Sequence, residues 1–164
     1  MQAKLVRDLM ITEPTTASPD DSLGVAGRRL LDSGQRTLPI IDANGEICGI
    51  ITDRDLRLAA DSPLIDEAPA EILENLQKHT VREIMTTAVH SIEAEAPIIE
   101  AAQLMRVANV AGLPVVEYDE TGNHEHLVGL VTRSMLLDYL ILLLEEQNEG
   151  EPVDGEVMVG EEER

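Results

Sequence analysis

The sequence predicts a mixed α/β (α+β) module: two related halves packed with internal pseudo-twofold symmetry. Three observations predict it. First, blocks recur. Val6-Arg7-Asp8-Leu9-Met10 returns as Val81-Arg82-Glu83-Ile84-Met85, and Leu38-Pro39-Ile40-Ile41-Asp42 as Leu113-Pro114-Val115-Val116-Glu117, both 75 residues later. Gly49-Ile50-Ile51-Thr52 returns as Gly129-Leu130-Val131-Thr132, 80 residues later. Second, each half carries two short apolar runs separated by a polar turn, the pattern of a hairpin, with helical spacing on either side. Third, a hairpin flanked by helices cannot bury both its faces alone. Two such units in 164 residues are therefore expected to share one core rather than fold as separate domains.

The elements follow in order. Ser18-Pro19-Asp20-Asp21-Ser22 is a turn into a helix whose apolar face is Leu23, Ala26, Leu30 and Leu31. Gly34 is placed to cap its end. Leu38–Ile41 is a strand, Asp42-Ala43-Asn44-Gly45 a hairpin turn with the strong Asn-Gly signal, and Ile47–Ile51 the return strand. Thr52 opens a helix through Ala60, closing a first repeat at residues 1–60. Residues 61–79 link the halves, with a loop over Asp61–Pro69 and a short helix over Ala70–Lys78 carrying Ile72, Leu73 and Leu76. In the second repeat, residues 80–144, Ala96, Ile99, Ala102 and Met105 mark a helix, and Leu113–Val116 and Leu127–Val131 the strands. Its five extra residues fall in Tyr118–His126, a polar turn where an insertion costs little. Ser134–Leu144 is apolar nearly all round, so it is buried on more than one side. The covering surface is either the chain's own core or a second copy, in a homodimer that also uses the Asp53–Ala60 helix. Residues 145–164 hold nine acidic residues and one basic residue with no helical period, which reads as a disordered solvating tail or as a partner-binding one.

Composition excludes several functions. There is no Phe or Trp, and the only Tyr are Tyr118 and Tyr139, so the core is aliphatic. With 32 acidic against 12 basic residues the formal charge is −20, which repels phosphate backbones. Without aromatic platforms, single-stranded nucleic acid has nothing to stack on. A single cysteine, Cys48, excludes an internal disulfide framework and reads as a small core residue. No apolar run approaches the roughly 20 residues of a membrane span, and no secretory signal is visible. The expectation is a cytoplasmic protein without a membrane partner. No nucleophile–base–orienter set, Gly-rich phosphate loop or metal-ligand spacing appears, so no catalytic or metal site is expected and the chain does not read as an enzyme. His124-Glu125-His126 reads as a solvated loop, with adventitious metal capture as the alternative.

The ordered set V-R-D-L-M, S-P-D-D-S-L, T-L-P-I-I-D, N-G and G-I-I-T-D-R-D, present twice, resembles the CBS domain. The two copies resemble a tandem CBS pair (a Bateman module) over roughly residues 1–144. The linker is similar to that of bacterial acetoin-utilisation-type CBS proteins. Those often carry a further ACT-type domain, in whose place this sequence has its acidic stretch. The resemblance implies a β-α-β-β-α unit per repeat, packing through the sheets and a homodimeric disc. It also implies clefts for adenosine-containing ligands (AMP, ADP, ATP, S-adenosylmethionine or NAD) that regulate an unknown partner protein, with no required cofactor.

The family's ribose motif, Gly-h-x-Thr/Ser-x-x-Asp/Asn, is matched by Gly49-Ile50-Ile51-Thr52-Asp53-Arg54-Asp55. By that resemblance Thr52 and Asp55 hold the ribose. A carboxylate accepting from both hydroxyls makes a charge-assisted pair. A free helix N-terminus favours a phosphate, with Arg54, Arg36 and, across the cleft, Arg133 as counter-charges. Thr16, Ala17, Thr37, Leu38 and Pro39 would edge the base, between walls from Ile40 and Ile50. Thr-x-x-Asp at a helix start is equally a helix-capping pattern. The second copy, Gly129-Leu130-Val131-Thr132-Arg133-Ser134-Met135, has Met135 where Asp is expected. A second cleft at Gly112, Leu113, Pro114 and Thr132 is therefore weaker for ribose, empty, or used differently. The remaining rival is a ligand-free dimerisation or scaffolding module.

Overall fold

The computed structural model describes residues 5–60 and 69–149. Local chemistry sets most boundaries. A 3-10 turn at Val6–Asp8 precedes β1 (Ile11–Thr12). Ser22 starts α1 (Leu23–Ser33) by accepting the Val25 N–H at 3.2 Å, and Gly34 ends it at a left-handed φ of 71°. β2 (Thr37–Ile41) turns into β3 (Ile47–Thr52) through Gly45 at φ 82°, and the Asp42 carboxylate accepts from the Asn44 and Glu46 N–H groups. α2 (Asp53–Ala60), α3 (Pro69–Lys78) and the single turn α4 (Val81–Ile84) follow. The second half runs β4 (Ile92–Glu93), α5 (Ile98–Ala108), β5 (Gly112–Tyr118), β6 (Glu125–Thr132) and α6 (Arg133–Glu149).

The strands form two sheets, β1-β6-β5-β4 and β2-β3. The first strand of the chain does not join its own half. β1 pairs antiparallel with β6, Ile11 opposite Leu130. At the matching place in the other sheet, Thr86 bridges Ile50 of β3. The Ala17–Ile40 parallel bridge is likewise the counterpart of β4 on β5, where Ile92 faces Val115. The same exchange appears in the loops. Val6 and Arg7 donate to the Ala96 and Ala94 carbonyls at 2.9 and 3.0 Å, while Val81 and Arg82 donate to those of Asp21 and Pro19, both at 2.9 Å. Every partner is 75 or 80 residues from its equivalent, so the pseudo-twofold relation holds at the level of single hydrogen bonds.

Burial follows the exchange. Leu23, Ala26, Leu30, Leu38, Ile40 and Ile51 form one cluster, completed by Val81 from the other half. Ala101, Met105, Leu113, Val115 and Val131 form a second, completed by Val6. The expected single core is thus two cores, and the sheets meet where Thr37 lies against Gly112.

Two helix faces differ from expectation. Leu31 is 80% exposed and Ile99 is 62% exposed. At roughly 100° per residue, Leu31 lies a full step off the Leu23–Ala26–Leu30 stripe, and Ile99 lies two steps off the Ala101–Met105 stripe. α6 continues to Glu149, taking in the first five residues of the expected tail; residues 150–164 and the linker loop 61–68 lie outside the described residues. The described residues do not enclose α6 on every side. Leu136 packs on the second core, whereas Leu137, Leu140, Ile141 and Leu144 are exposed, at i, i+3, i+4 and i+7 spacing. No helix among the described residues is long and apolar enough to cross a membrane.

The two hairpin tips touch. The inserted turn of the second half brings His124 Nδ1 within 2.8 Å of Glu46 Oε1 in the first. This bond, and next the charge of Asp119, hold the imidazole pKa above its ordinary value. A pKa raised on folding means the contact contributes fully below the unfolded value and is lost as pH rises through the folded one. An NMR titration is expected to show His124 protonating above the ordinary histidine range, and Glu46→Gln to bring it partway back, since Asp119 remains. An unmoved His124 titration in Glu46→Gln would contradict the contact.

Candidate functional site

Thr52 ends β3 and Asp55 lies in the first turn of α2, so the strand-to-helix junction brings them together. The Asp55 carboxylate accepts, on Oδ2, both the Thr52 N–H at 2.8 Å and the Thr52 hydroxyl at 2.9 Å. The Asp55 N–H donates back to the Thr52 hydroxyl at 3.2 Å. This is a reciprocal helix cap. It uses one carboxylate oxygen and leaves Oδ1 without a hydrogen bond among the described residues. Arg54 is exposed beside it, while Asp53 is paired with Arg57 at 2.9 Å. In the second half the box is half kept: the Thr132 hydroxyl accepts the Met135 N–H at 3.4 Å, and the thioether makes no return bond.

The other expected contacts are rearranged. Leu38 and Ile40 are sealed in the first core, and Leu113 in the second, so Ile40 is no wall to a cleft. Ile50 is half-buried, its N–H and carbonyl both bonded to Thr86. Pro39 is fully buried, and Pro114 within β5 is buried. Ala17 is buried with its N–H given to the Pro39 carbonyl and its own carbonyl taken by Ile41. The Thr16 carbonyl accepts from Arg29. These backbones are largely committed to the sheet. Cys48 is half-buried against the first core, and burial pushes its thiol pKa up. Among the described residues no group of three metal-ligating side chains converges.

Arg36 does not simply join Asp55. Its carbonyl accepts the Asp53 N–H at 3.0 Å, beside the first junction. Yet the residue lines a cleft of about 430 Å³ with Thr37, Thr132, Arg133, Ser134 and Met135, walled by Ile11, Leu130 and Leu137. This cleft is built from both halves. Ile11, Ser134 and Leu137 were not anticipated. The repeat of Val6–Met10 at Val81–Met85 was the available signal that the N-terminal segment has a structural place, but not that it crosses over.

The CBS domain profile matches residues 6–62 and 81–142, the two halves described above. The chain belongs to the CBS domain family. This CBS pair is 48% identical over 141 residues to a CBS domain-containing protein of Dictyostelium discoideum, covering 86% of this chain and 94% of that one. Among solved structures it resembles an acetoin utilisation protein (AcuB) from Vibrio cholerae, with TM-score 0.68, 32% identity, and 93% and 100% coverage of the two chains. It also resembles the CBS domain pair of protein MJ0100, solved with 5′-methylthioadenosine and S-adenosyl-L-methionine. There the TM-score is 0.67, the identity 28%, and the coverage 87% and 97%. The β-α-β-β-α arrangement expected from the resemblance is the fold of this CBS pair, with the leading strand of the first repeat reduced to the Ala17 bridge.

Proposed function

We propose that this CBS pair is a non-catalytic regulatory module that binds an adenosine-containing small molecule and reports it to a partner protein in the cytoplasm. AMP, ADP and ATP lead the class, with S-adenosylmethionine and NAD as variants of the same chemistry. The observation that carries this is Asp55. Its carboxylate is fixed at the strand-to-helix junction by Thr52 through one oxygen, and the other is left to accept a sugar hydroxyl. Arg54 is the nearby counter-charge for a phosphate. The 28%-identical neighbour solved with two adenosine compounds supports the ligand class. Signalling follows from differential affinity: a ligand touching both halves favours the arrangement that holds it better.

The scaffold reading is favoured by the same cap, because three hydrogen bonds are reason enough for Thr52 and Asp55. Thermal unfolding with AMP, ADP, ATP, S-adenosylmethionine and NAD separates the two. A ligand at 100 times its dissociation constant stabilises by about 2.7 kcal/mol. Asp55→Ala is expected to remove that shift and to cost about 1 kcal/mol through the lost cap. No shift from any compound, with Asp55→Ala only lowering the melting temperature, would leave the scaffold.

The module is proposed to work as a homodimer through the exposed α6 stripe of Leu137, Leu140, Ile141 and Leu144 and through the α2 helix, whose Leu58 is also exposed. Light scattering should give twice the chain mass, and Leu140→Glu should return the monomer. Wild-type protein that is monomeric at micromolar concentration would remove this assembly.

A further inference from the structure

A groove of about 580 Å³ runs between α1, α2 and α3. It originates in the sequence of α1. Gly24 and Gly27 stand about one turn apart, and a Cβ on them would sit 3.6 Å from Gln77 of α3 and 3.7 Å from Leu56 of α2, in ordinary contact. With no side chain at either position, the space between the three helices stays unfilled. Val25 and Leu31 rim it, 40% and 80% exposed, and Leu56 and Leu76 line it from the other helices. The charged side chains that line it are Arg28 and Arg29, with no acidic one, in a chain of 32 acidic and 12 basic residues. Arg29 is held by Asp21 at 2.7 Å and by the Thr16 carbonyl at 3.0 Å. Arg28 is exposed and has no hydrogen bond or ion pair among the described residues, although Asp32 follows one turn later. An apolar depression rimmed by charge is the usual form of a contact surface. It is not the proposed homodimer face, because Leu56 and Leu58 are about 200° apart around α2.

The chain carries the complement of this groove. Beyond α6 the sequence holds Val157-Met158-Val159 and then Glu161-Glu162-Glu163, an apolar run followed by an acidic one. The groove has the same order: exposed Leu31, then Arg28 one turn back along α1. The distance allows the match. α6 starts beside the end of α1, since Ser33 and Gly34 line one cleft with Arg133 and Leu137. Its 17 residues are about 25 Å long. With a further 10 Å or so for one helix spacing, Glu149 lies no more than about 35–40 Å from the Leu31 end. The chain from Glu149 to Glu163 spans up to about 45–50 Å when extended. We infer that residues 150–164 dock on the α1–α2–α3 groove of their own chain, with Val157–Val159 on the apolar rim and Glu161–Glu163 facing Arg28. So docked, the segment covers Val25 and Leu31, and a partner protein that engages this face has to displace it.

Paramagnetic broadening in the full chain tests this. Met158→Cys, in a Cys48→Ala background, carries a nitroxide, and the reduced label is the reference. The amides of Val25, Arg28, Leu31 and Gln77 should broaden. Arg28→Glu should lower the docked fraction about threefold, since it reverses one exposed charge contact. Raising the salt to about 1 M, where the Debye length is about 3 Å, should act in the same direction. Glu161→Lys, Glu162→Lys and Glu163→Lys together should restore the broadening in the Arg28→Glu protein. Thermal unfolding verifies that each variant is folded. Groove amides that do not broaden, or broadening that Arg28→Glu leaves unchanged, would overturn the docking. Failure of the lysine rescue would overturn the charge pairing. Labelled chains mixed with isotope-enriched unlabelled chains should leave the groove amides sharp. Broadening in that mixture alone would give the groove to a second copy and overturn docking within one chain.

Discussion

Deleting residues 1–12 is expected to unfold the second half of the chain before the first. Val6 is fully buried in the second core, against Ile92, Ala101, Leu113 and Val131. Burying a valine side chain is worth roughly 1.5–3 kcal/mol. The deletion also removes β1 from the edge of β6, together with the bonds from Val6 and Arg7 to Ala96 and Ala94. Several kcal/mol is a large share of the roughly 5–15 kcal/mol that holds a domain together. Hydrogen exchange should show the amides of β5 and β6 losing protection while those of β2 and β3 keep more of theirs. The β2–β3 sheet is edged by Thr86, not by β1. Val81→Ala should have the reverse pattern, since Val81 belongs to the first core. Equal loss throughout, or earlier loss in β2–β3, would contradict the exchanged architecture.

Gly129→Ala should destabilise more than the equivalent Gly49→Ala. A Cβ on either glycine would lie 2.5 Å from a methionine sulfur, Met10 for Gly129 and Met85 for Gly49. At Gly49 the three nearest atoms all belong to the Met85 side chain, which can swing away. At Gly129 the new carbon also meets the Ile11 carbonyl oxygen at 2.8 Å. That oxygen is backbone, held in the pairing of β1 with β6, and cannot move without shifting the strand. Overpacking of this kind costs typically 1–3 kcal/mol; we place Gly129→Ala near about 3 and Gly49→Ala near about 1. For a chain of this size that corresponds to a fall in melting temperature of about 2–4 °C per kcal/mol. Equal melting temperatures for the two variants would show that the strand yields as easily as the side chain.

The contrast between these glycines marks what a sequence can and cannot tell. The hairpin at Asn44-Gly45, the cap at Gly34 and the box at Thr52–Asp55 are decided by residues within a few positions of one another, and all were legible. So was the loss of the box at Met135. The pairing of Ile11 with Leu130 was not, because β1 is two exposed residues with no alternation of its own. The family resemblance places Arg133 across a cleft from the Arg36 side, but not Ile11, Ser134 and Leu137, which line the same cleft as both arginines; Ile11 arrives there only through the pairing of β1 with β6. The faces of α1 and α5 were readable only in part. Apolar residues at near-helical spacing included Leu31 and Ile99, and only packing shows which edge of the stripe meets a neighbour.

The crossed N-terminal segments have a consequence for how the protein is made. As the nascent chain emerges, α1, β2 and β3 appear before the second half, but their core lacks Val81 and their sheet lacks the Thr86 edge. The early half must wait, incompletely closed, until its complement has been synthesised. The later half meets the opposite situation: its missing piece, Val6 to Thr12, left the ribosome long before and must be kept available. Loop closures over such separations are slow compared with local helix and hairpin formation. An early hairpin with its β3 edge unpaired is open to pairing with another chain, so the exchange that locks the finished pair together also lengthens the interval in which it is vulnerable.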